Sequence, residues 1–133
     1  MERVLANKKQ YTRDLAMQIV KNGSNEEKSE LAIALGFDCM DYGFAQSMCI
    51  ELLKMEDEII RGNAVIGLAH IARRFKKLDK RIVKPYLLRE LRENVGCRDL
   101  IVEAINDINM HLDWNIANRK QISNIRRLHE ELF

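Results

Sequence analysis

The sequence predicts an all-α fold in which helical hairpins repeat and stack, an α-solenoid. One proline and six glycines among 133 residues leave few of the turns that a multi-stranded β-fold needs, and the common residue types favour helix. Residues 59–74 are also echoed by residues 97–114, because a shift of 37 positions places Arg61 on Arg98 and aligns the apolar positions. A helical repeat near this length is typical of α-solenoids, whose units bury their apolar faces by stacking on a neighbour.

Local signals divide the chain into a polar leader at 1–10 and seven helices. Thr12 is the predicted N-cap of the first helix, and Asp57 is that of the fourth. Ser24 and Glu27 have the spacing of a capping box that opens the second helix, which we expect Gly36 to end. The predicted helical ranges are 11–20, 24–36, 43–55, 58–75, 80–93, 98–112 and 115–133.

Three helix ends carry a more specific expectation. We expect Gly23 to adopt a left-handed conformation at the end of the first helix. Pro85 lies inside the fifth helical pattern, so that helix is predicted to begin near Lys84 or to kink there. The last helix is predicted to begin at Asp113 or Asn115 and to cap the array, with a polar outer side and an apolar inner side.

Length and composition predict one soluble domain spanning 1–133, with a core that needs neither disulfides nor metal. Cys39, Cys49 and Cys97 are odd in number, and the sequence has no CxxC motif or Cys/His cluster with zinc spacing. The first ten residues lack the apolar stretch of a signal peptide, and no apolar run approaches the length of a membrane span. We therefore expect a cytoplasmic protein with reduced thiols, no cofactor and no membrane association.

Charge is nearly balanced overall but unevenly distributed. The formal net charge is +2, yet residues 26–58 carry nine acids against two lysines, and residues 73–92 carry nine bases against two acids. Such asymmetry bears on the choice of partner and on the rate of association rather than on the fold.

A longer pattern carries a family resemblance. The segment CIELLKMEDEIIRGNAVIGLAHIARRFKKLD, followed by AINDINMHLDW and marked by Asp57, Arg61 and Arg98, resembles HEAT-like repeats, and more narrowly the small single-domain HEAT-like proteins of bacteria. The likeness covers residues 12–114. It implies a HEAT-like α-solenoid of about seven helices, paired in antiparallel hairpins and closed by the C-terminal capping helix at 115–133.

The same resemblance suggests a function. Many proteins of this group look like immunity proteins of interbacterial toxin systems, which neutralise a partner toxin in the cytoplasm. The resemblance therefore implies a protein-binding module that is not an enzyme and that forms a 1:1 complex with a cognate toxin. A nuclease is the favoured toxin, and occlusion of its active site is the favoured mechanism.

Under that hypothesis the acidic part of the chain supplies contacts to the partner. Carboxylates can stand in for nucleic-acid phosphates against a basic cleft, and opposite potentials accelerate capture. The predicted contact residues of this part lie in connectors, including 37–42, and at helix ends: Asp38, Asp41, Tyr42, Glu56, Asp57 and Glu58.

The inner helices carry a second set of candidate contact residues. Asn63, Gly67, His70 and Arg74 share one stripe of the fourth helix, and the 37-residue shift maps His70 to Asp107. We expect the small and polar residues of this stripe to leave a groove that a partner enters. The same shift maps Arg74 to His111 on the sixth helix. Glu103 is a further candidate there, because it has i, i+4 spacing to Asp107 and the two carboxylates favour a positively charged partner.

Trp114, the only tryptophan, has two interpretations. Because tryptophan is enriched at binding hot spots, it is a candidate interface anchor. Packing against the last helix is the other interpretation. Arg61 and Arg98 are predicted to bridge adjacent units of the scaffold.

Catalysis and metal binding have no motif behind them, since His70, His111 and His129 form no HExxH or HxH pattern. A nucleic-acid backbone-binding module that uses the basic segment 73–92 remains the alternative function. Only Phe75 and Tyr86 interleave with the bases of that segment, which makes nucleic acid the less favoured partner.

Overall fold

A computed structural model describes residues 11–117 of the chain. The regular structure of this part consists of α-helices, so the all-α prediction is confirmed. The polar leader at 1–10 and residues 118–133 of the predicted capping helix lie outside the described residues. The helices are α1 (Arg13–Asn22), α2 (Asn25–Asp38), α3 (Tyr42–Leu52), α4 (Glu58–Phe75), α5 (Lys80–Glu93) and α6 (Arg98–Leu112).

The predicted N-caps are confirmed at the start of three helices. The Thr12 hydroxyl accepts a hydrogen bond from the backbone N–H of Leu15 at the start of α1. Ser24 and Glu27 form the predicted capping box of α2, and the Asp57 carboxylate accepts from the first turn of α4. These side chains bind backbone donors that have no partner inside the helix, so the start of each helix is encoded locally.

Helix α4 lies at the centre of the molecule. It packs against α2 on one side and α6 on the other, and α3 and α5 also contact it. Leu68 and Ile71 of α4 are completely buried, as are Leu31 of α2 and Ile105 of α6. We group the helices in three consecutive pairs, α1 with α2, α3 with α4 and α5 with α6. The second helices of these pairs, α2, α4 and α6, pack side by side and form a continuous layer. Within residues 11–117, no helix has both the length and the apolar character that a membrane span requires.

Two glycines bring α2 and α4 into unusually close contact. A Cβ atom on Gly67 would lie 2.5 Å from the carbonyl oxygen of Ala32, and one on Gly36 would lie 2.8 Å from the carbonyl oxygen of Gly67. The prediction that Gly36 ends α2 is wrong, because this glycine permits a helix crossing and α2 continues to Asp38. The groove predicted beside Gly67 is filled by α2 itself.

Other predicted helix ends also need correction. Gly23 is not left-handed, since its φ is −71° and its backbone is extended. Helix α5 has the predicted range 80–93, with the Asp79 side chain as its cap and Pro85 inside it, so only the alternative start near Lys84 is wrong.

The last predicted helix does not begin at Asp113 or Asn115. Asp113 adopts a left-handed conformation with a φ of 57° and ends α6. The side chain of Asn109 then holds the loop, donating to the carbonyl of Ile116 at 2.9 Å and accepting from its N–H at 3.0 Å.

The 37-residue echo extends to details of hydrogen bonding. Arg61 donates to the carbonyl oxygens of Met55 and Glu56, and Arg98 donates to those of Leu91 and Arg92, so each guanidinium binds backbone carbonyls just before its own helix. Lys76 and Asp113, which are also 37 positions apart, are both left-handed and end their helices. The echo therefore reflects equivalent scaffold positions.

Candidate functional site

A buried ionic cluster joins the second and third helical pairs. Glu90 of α5 is completely buried and accepts two hydrogen bonds from Arg61 of α4, at 2.9 and 3.1 Å. Arg89 and Asn94 also donate to its carboxylate, and Arg89 donates to the carbonyl of Leu53. The predicted bridge between adjacent units is confirmed for Arg61, which therefore belongs to the scaffold. It is wrong for Arg98, which donates to carbonyls of α5, the helix that precedes its own.

Sequence reasoning missed Glu90 and Asn94. Glu90 lies on the buried stripe of α5 with Val83 and Leu87, and an acid on such a stripe is a signal for a buried partner. Its partner Arg61 is 29 residues away, a distance at which helical periodicity gives no information.

The predicted acidic contacts fall into two groups, one on each side of α3. Asp38 and Asp41 lie before α3, whereas Glu56, Asp57 and Glu58 lie after it. The eleven residues of α3 separate the two groups by about 16 Å.

Several of these acids also have local roles. Asp41 caps α3 and forms an ion pair of 2.8 Å with Arg13. The pKa of its carboxyl group is lowered because it accepts a hydrogen bond from the Phe44 N–H and lies beside the positive charge of Arg13. Asp57 caps α4, and one carboxylate oxygen of Asp38 is buried without a hydrogen-bond partner among the described residues. Glu56 is exposed, and Glu58 lies in the first turn of α4.

Two candidates on the α4 stripe face α2 rather than an open groove. The Asn63 side chain donates to the carbonyl of Ser29 at 3.1 Å. Arg74 donates to the carbonyls of Gly36 and Cys39 at the end of α2, each at 2.8 Å. These donors hold α2 in place, and a contact of either residue with a partner stays a prediction.

The open side of the α2–α4–α6 layer brings His70 and Asp107 onto one surface. The rings of Phe37 and His70 lie 4.1 Å apart, which joins α2 to α4. Burial lowers the pKa of His70, and the Arg73 charge lowers it further, whereas the Asp107 carboxylate on α6 raises it. Phe37 of α2, His70 of α4 and Asp107 of α6 therefore lie in a row across the layer.

We call the surface around this row the three-helix face. Helical spacing of seven or eleven residues puts Glu26 and Glu30 on the stripe of Phe37, and Ile59 on that of His70. Leu100 lies seven residues before Asp107 and Glu103 lies four residues before it, so both share the stripe of Asp107. The face comprises Glu26, Glu30 and Phe37 of α2, Ile59, His70 and Arg73 of α4, and Leu100, Glu103, Asp107 and Met110 of α6.

Large apolar side chains are exposed on this face. Phe37 is 39% exposed, Leu100 50%, Ile59 60% and Met110 69%. These are four of the eight large apolar side chains that are exposed in residues 11–117. Because exposed apolar groups interleaved with charges mark interaction surfaces, this face is the stronger candidate for partner binding.

A second feature lies at the turn between α4 and α5. The Lys76 ammonium lies 3.1 Å from Nδ1 of His111, Lys77 lies 4.5 Å from the ring centre of Tyr42, and Lys80 lies 5.4 Å from that of Trp114. Trp114 is half-buried. We call this group the cationic edge, and it brings Tyr42 close to the same lysines as His111 and Trp114, which come from a distant part of the sequence.

The described chain offers no built metal or thiol centre. Within residues 11–117 no three His, Cys, Asp or Glu side chains are grouped to hold a metal ion. Cys39, Cys49 and Cys97 are free thiols. Burial raises the pKa of all three, and that of the completely buried Cys49 to about 12.

Two surfaces are therefore open to a partner in residues 11–117. The three-helix face combines apolar anchors with carboxylates, and the cationic edge combines lysines with aromatic rings. No protein-family model matches the chain, and no curated protein or solved structure is significantly similar to it.

Proposed function

We propose that this chain is a HEAT-like immunity protein that binds a cognate toxin, a nuclease, in a 1:1 complex in the cytoplasm and blocks its active site. The single observation that carries the proposal is the three-helix face, where four exposed apolar side chains stand among carboxylates. The protein itself performs no catalysis.

The repeated architecture supports a binding scaffold. The second helices of three consecutive pairs pack side by side, and equivalent caps and arginines recur along the chain. Arrays of this kind present a broad surface made of the same helix from each unit. A wide, continuous face suits occlusion of another protein's cleft.

The charge of the face supports a basic partner. Glu26, Glu30, Glu103 and Asp107 are all exposed, and Arg73 is the cation among them. A nuclease cleft is basic because it binds phosphates, so this surface attracts it and accelerates association. Phe37, Ile59, Leu100 and Met110 then supply the apolar contact that slows dissociation.

The contact set is consequently different from the one that the acidic connectors alone suggest. Asp41 and Asp57 bind helix N-termini, and their removal would weaken the fold as well as any complex. We therefore assign the main electrostatic role to Glu103 and Asp107, together with Glu26 and Glu30 of α2.

Co-expression with the product of the neighbouring gene tests the proposal. The wild-type chain is expected to protect cells from that product and to co-purify with it. The double variant Glu103→Lys, Asp107→Lys is expected to lose protection and to associate about tenfold more slowly or worse, with a normal circular dichroism spectrum.

Glu93→Lys is the matched control, because Glu93 is exposed at the end of α5, outside the three-helix face. It is expected to protect as the wild type does. Absence of a stable protein partner together with absence of protection would refute the proposal. Full protection by the double variant would refute the role of the three-helix face.

A further inference from the structure

The cationic edge contains three exposed lysines that form no ion pair with an acid of the described residues. No carboxylate of residues 11–117 lies within ion-pair distance of Lys76, Lys77 or Lys80. Their close neighbours are instead an imidazole nitrogen and two aromatic rings. By contrast, Arg61 and Arg89 share the buried Glu90.

The surroundings strengthen this positive potential. Residues 73–84 contain seven bases and a single acid, Asp79. The Asp79 carboxylate is engaged as the N-cap of α5, where it accepts from the N–H of Arg81 at 3.2 Å.

Not every base of the segment 73–92 belongs to this surface. Arg74 donates to backbone carbonyls at the end of α2, and Arg89 binds Glu90 and the carbonyl of Leu53. What remains is a smaller edge that also includes Tyr42 and Trp114, which the linear sequence places far from the lysines.

We propose that the cationic edge binds single-stranded nucleic acid, with backbone phosphates on Lys76, Lys77 and Lys80 and an unpaired base stacked on Trp114. Sites for single strands combine a positive surface that follows the backbone with aromatic rings on which bases stack. An acidic peptide would use the lysines but not the rings, and a duplex keeps its bases out of reach of Trp114. The site is separate from the three-helix face and independent of toxin binding.

Trp114 makes the test direct, since it is the only tryptophan of the chain. Titration with an oligothymidylate or oligouridylate of about twelve nucleotides is expected to quench its fluorescence. With three lysine contacts, the logarithm of the binding constant should fall against the logarithm of the salt concentration with a slope of about −2. Comparison of the two oligonucleotides shows whether the edge prefers DNA or RNA.

Charge reversal locates the site. The double variant Lys77→Glu, Lys80→Glu is expected to lose binding about tenfold or more, while Arg92→Glu, an exposed change farther along α5, leaves it within about twofold. Trp114→Leu is expected to weaken binding about tenfold in fluorescence anisotropy with a labelled oligonucleotide.

Several results would overturn the assignment. Absence of quenching at low salt would do so, as would equal losses in the double variant and in Arg92→Glu. Equally tight binding of a duplex of the same length, or of polyglutamate, would show that the edge recognises charge alone and not a single strand.

Discussion

The close crossing of α2 and α4 makes Gly67→Ala the most informative single substitution. A methyl group at this position would lie 2.5 Å from the carbonyl oxygen of Ala32 and 3.1 Å from the sulfur of Cys49. The oxygen belongs to helix backbone and cannot rotate away, so α2 must move as a unit. That movement would also disturb the contact of Phe37 with His70, which helps to form the three-helix face.

Two opposing effects set the magnitude. Alanine is favoured over glycine in a helix interior by about 1 kcal/mol. Overpacking a close contact costs about 1–3 kcal/mol, and more where backbone must shift. Because the contact at Gly67 is far shorter than van der Waals distance and involves helix backbone, we expect a steric cost of about 3 kcal/mol or more. After the helix preference is subtracted, the variant should lose about 2 kcal/mol or more of unfolding free energy.

Gly43→Ala is the matched control. Gly43 is exposed in the first turn of α3, and an added Cβ would meet only an oxygen of Asp41, at 3.7 Å. This variant is expected to gain about 0.5 kcal/mol, since only the helix preference acts.

Urea unfolding followed by circular dichroism measures both effects. A loss of 1 kcal/mol should lower the melting temperature by about 4 °C in a domain of this size. If Gly67→Ala were as stable as the wild type, or if Gly43→Ala were destabilised as much as Gly67→Ala, the close crossing of α2 and α4 at Gly67 would be refuted.

Three further perturbations test other parts of the structure. Iodoacetamide at pH 8 should leave Cys49 unmodified in the native protein, because its buried thiol has a pKa of about 12, and should modify it after denaturation, as mass spectrometry can show. Glu90→Ala should lower the free energy of unfolding, measured in urea, by about 3–5 kcal/mol, because it leaves Arg61 without its buried acceptor. Glu51→Ala removes the exposed ion pair with Lys54 and should cost less than about 1 kcal/mol. Folding lowers the pKa of His70, so the unfolded chain binds more protons than the folded one below about pH 6.5. The free energy of unfolding should therefore fall as the pH drops below about 6.5, and it should fall less in His70→Gln.

Sequence reasoning succeeded where a few neighbouring residues determine the outcome. The caps at Thr12, Ser24 and Asp57 bind donors within three residues, so they are visible in a short window of sequence. The bounds of α6 also agree with the prediction, because the spacing of its own apolar residues marks where the helix begins and ends.

It failed where two distant segments meet. Gly36 looks like a helix end in isolation, but its role depends on Gly67 of another helix. Of the candidate surface, His70 and Asp107 were found through the 37-residue shift, and Glu103 through its i, i+4 spacing with Asp107. The position of Glu26 and Glu30 beside them depends on how α2 packs. Tyr42 and Trp114 were predicted as partner contacts, but only the packing of α3 and α6 brings them to the lysines.

The Glu90 cluster has a consequence for the order of the helical pairs. The first two helical pairs meet at close glycine contacts and through donors to backbone carbonyls, whereas the second and third meet through a buried carboxylate shared by two arginines. A pair placed at the other's junction would meet either a steric clash or an unpaired buried charge. The units are therefore not interchangeable, and shuffling or duplicating them should fail even though their apolar patterns match.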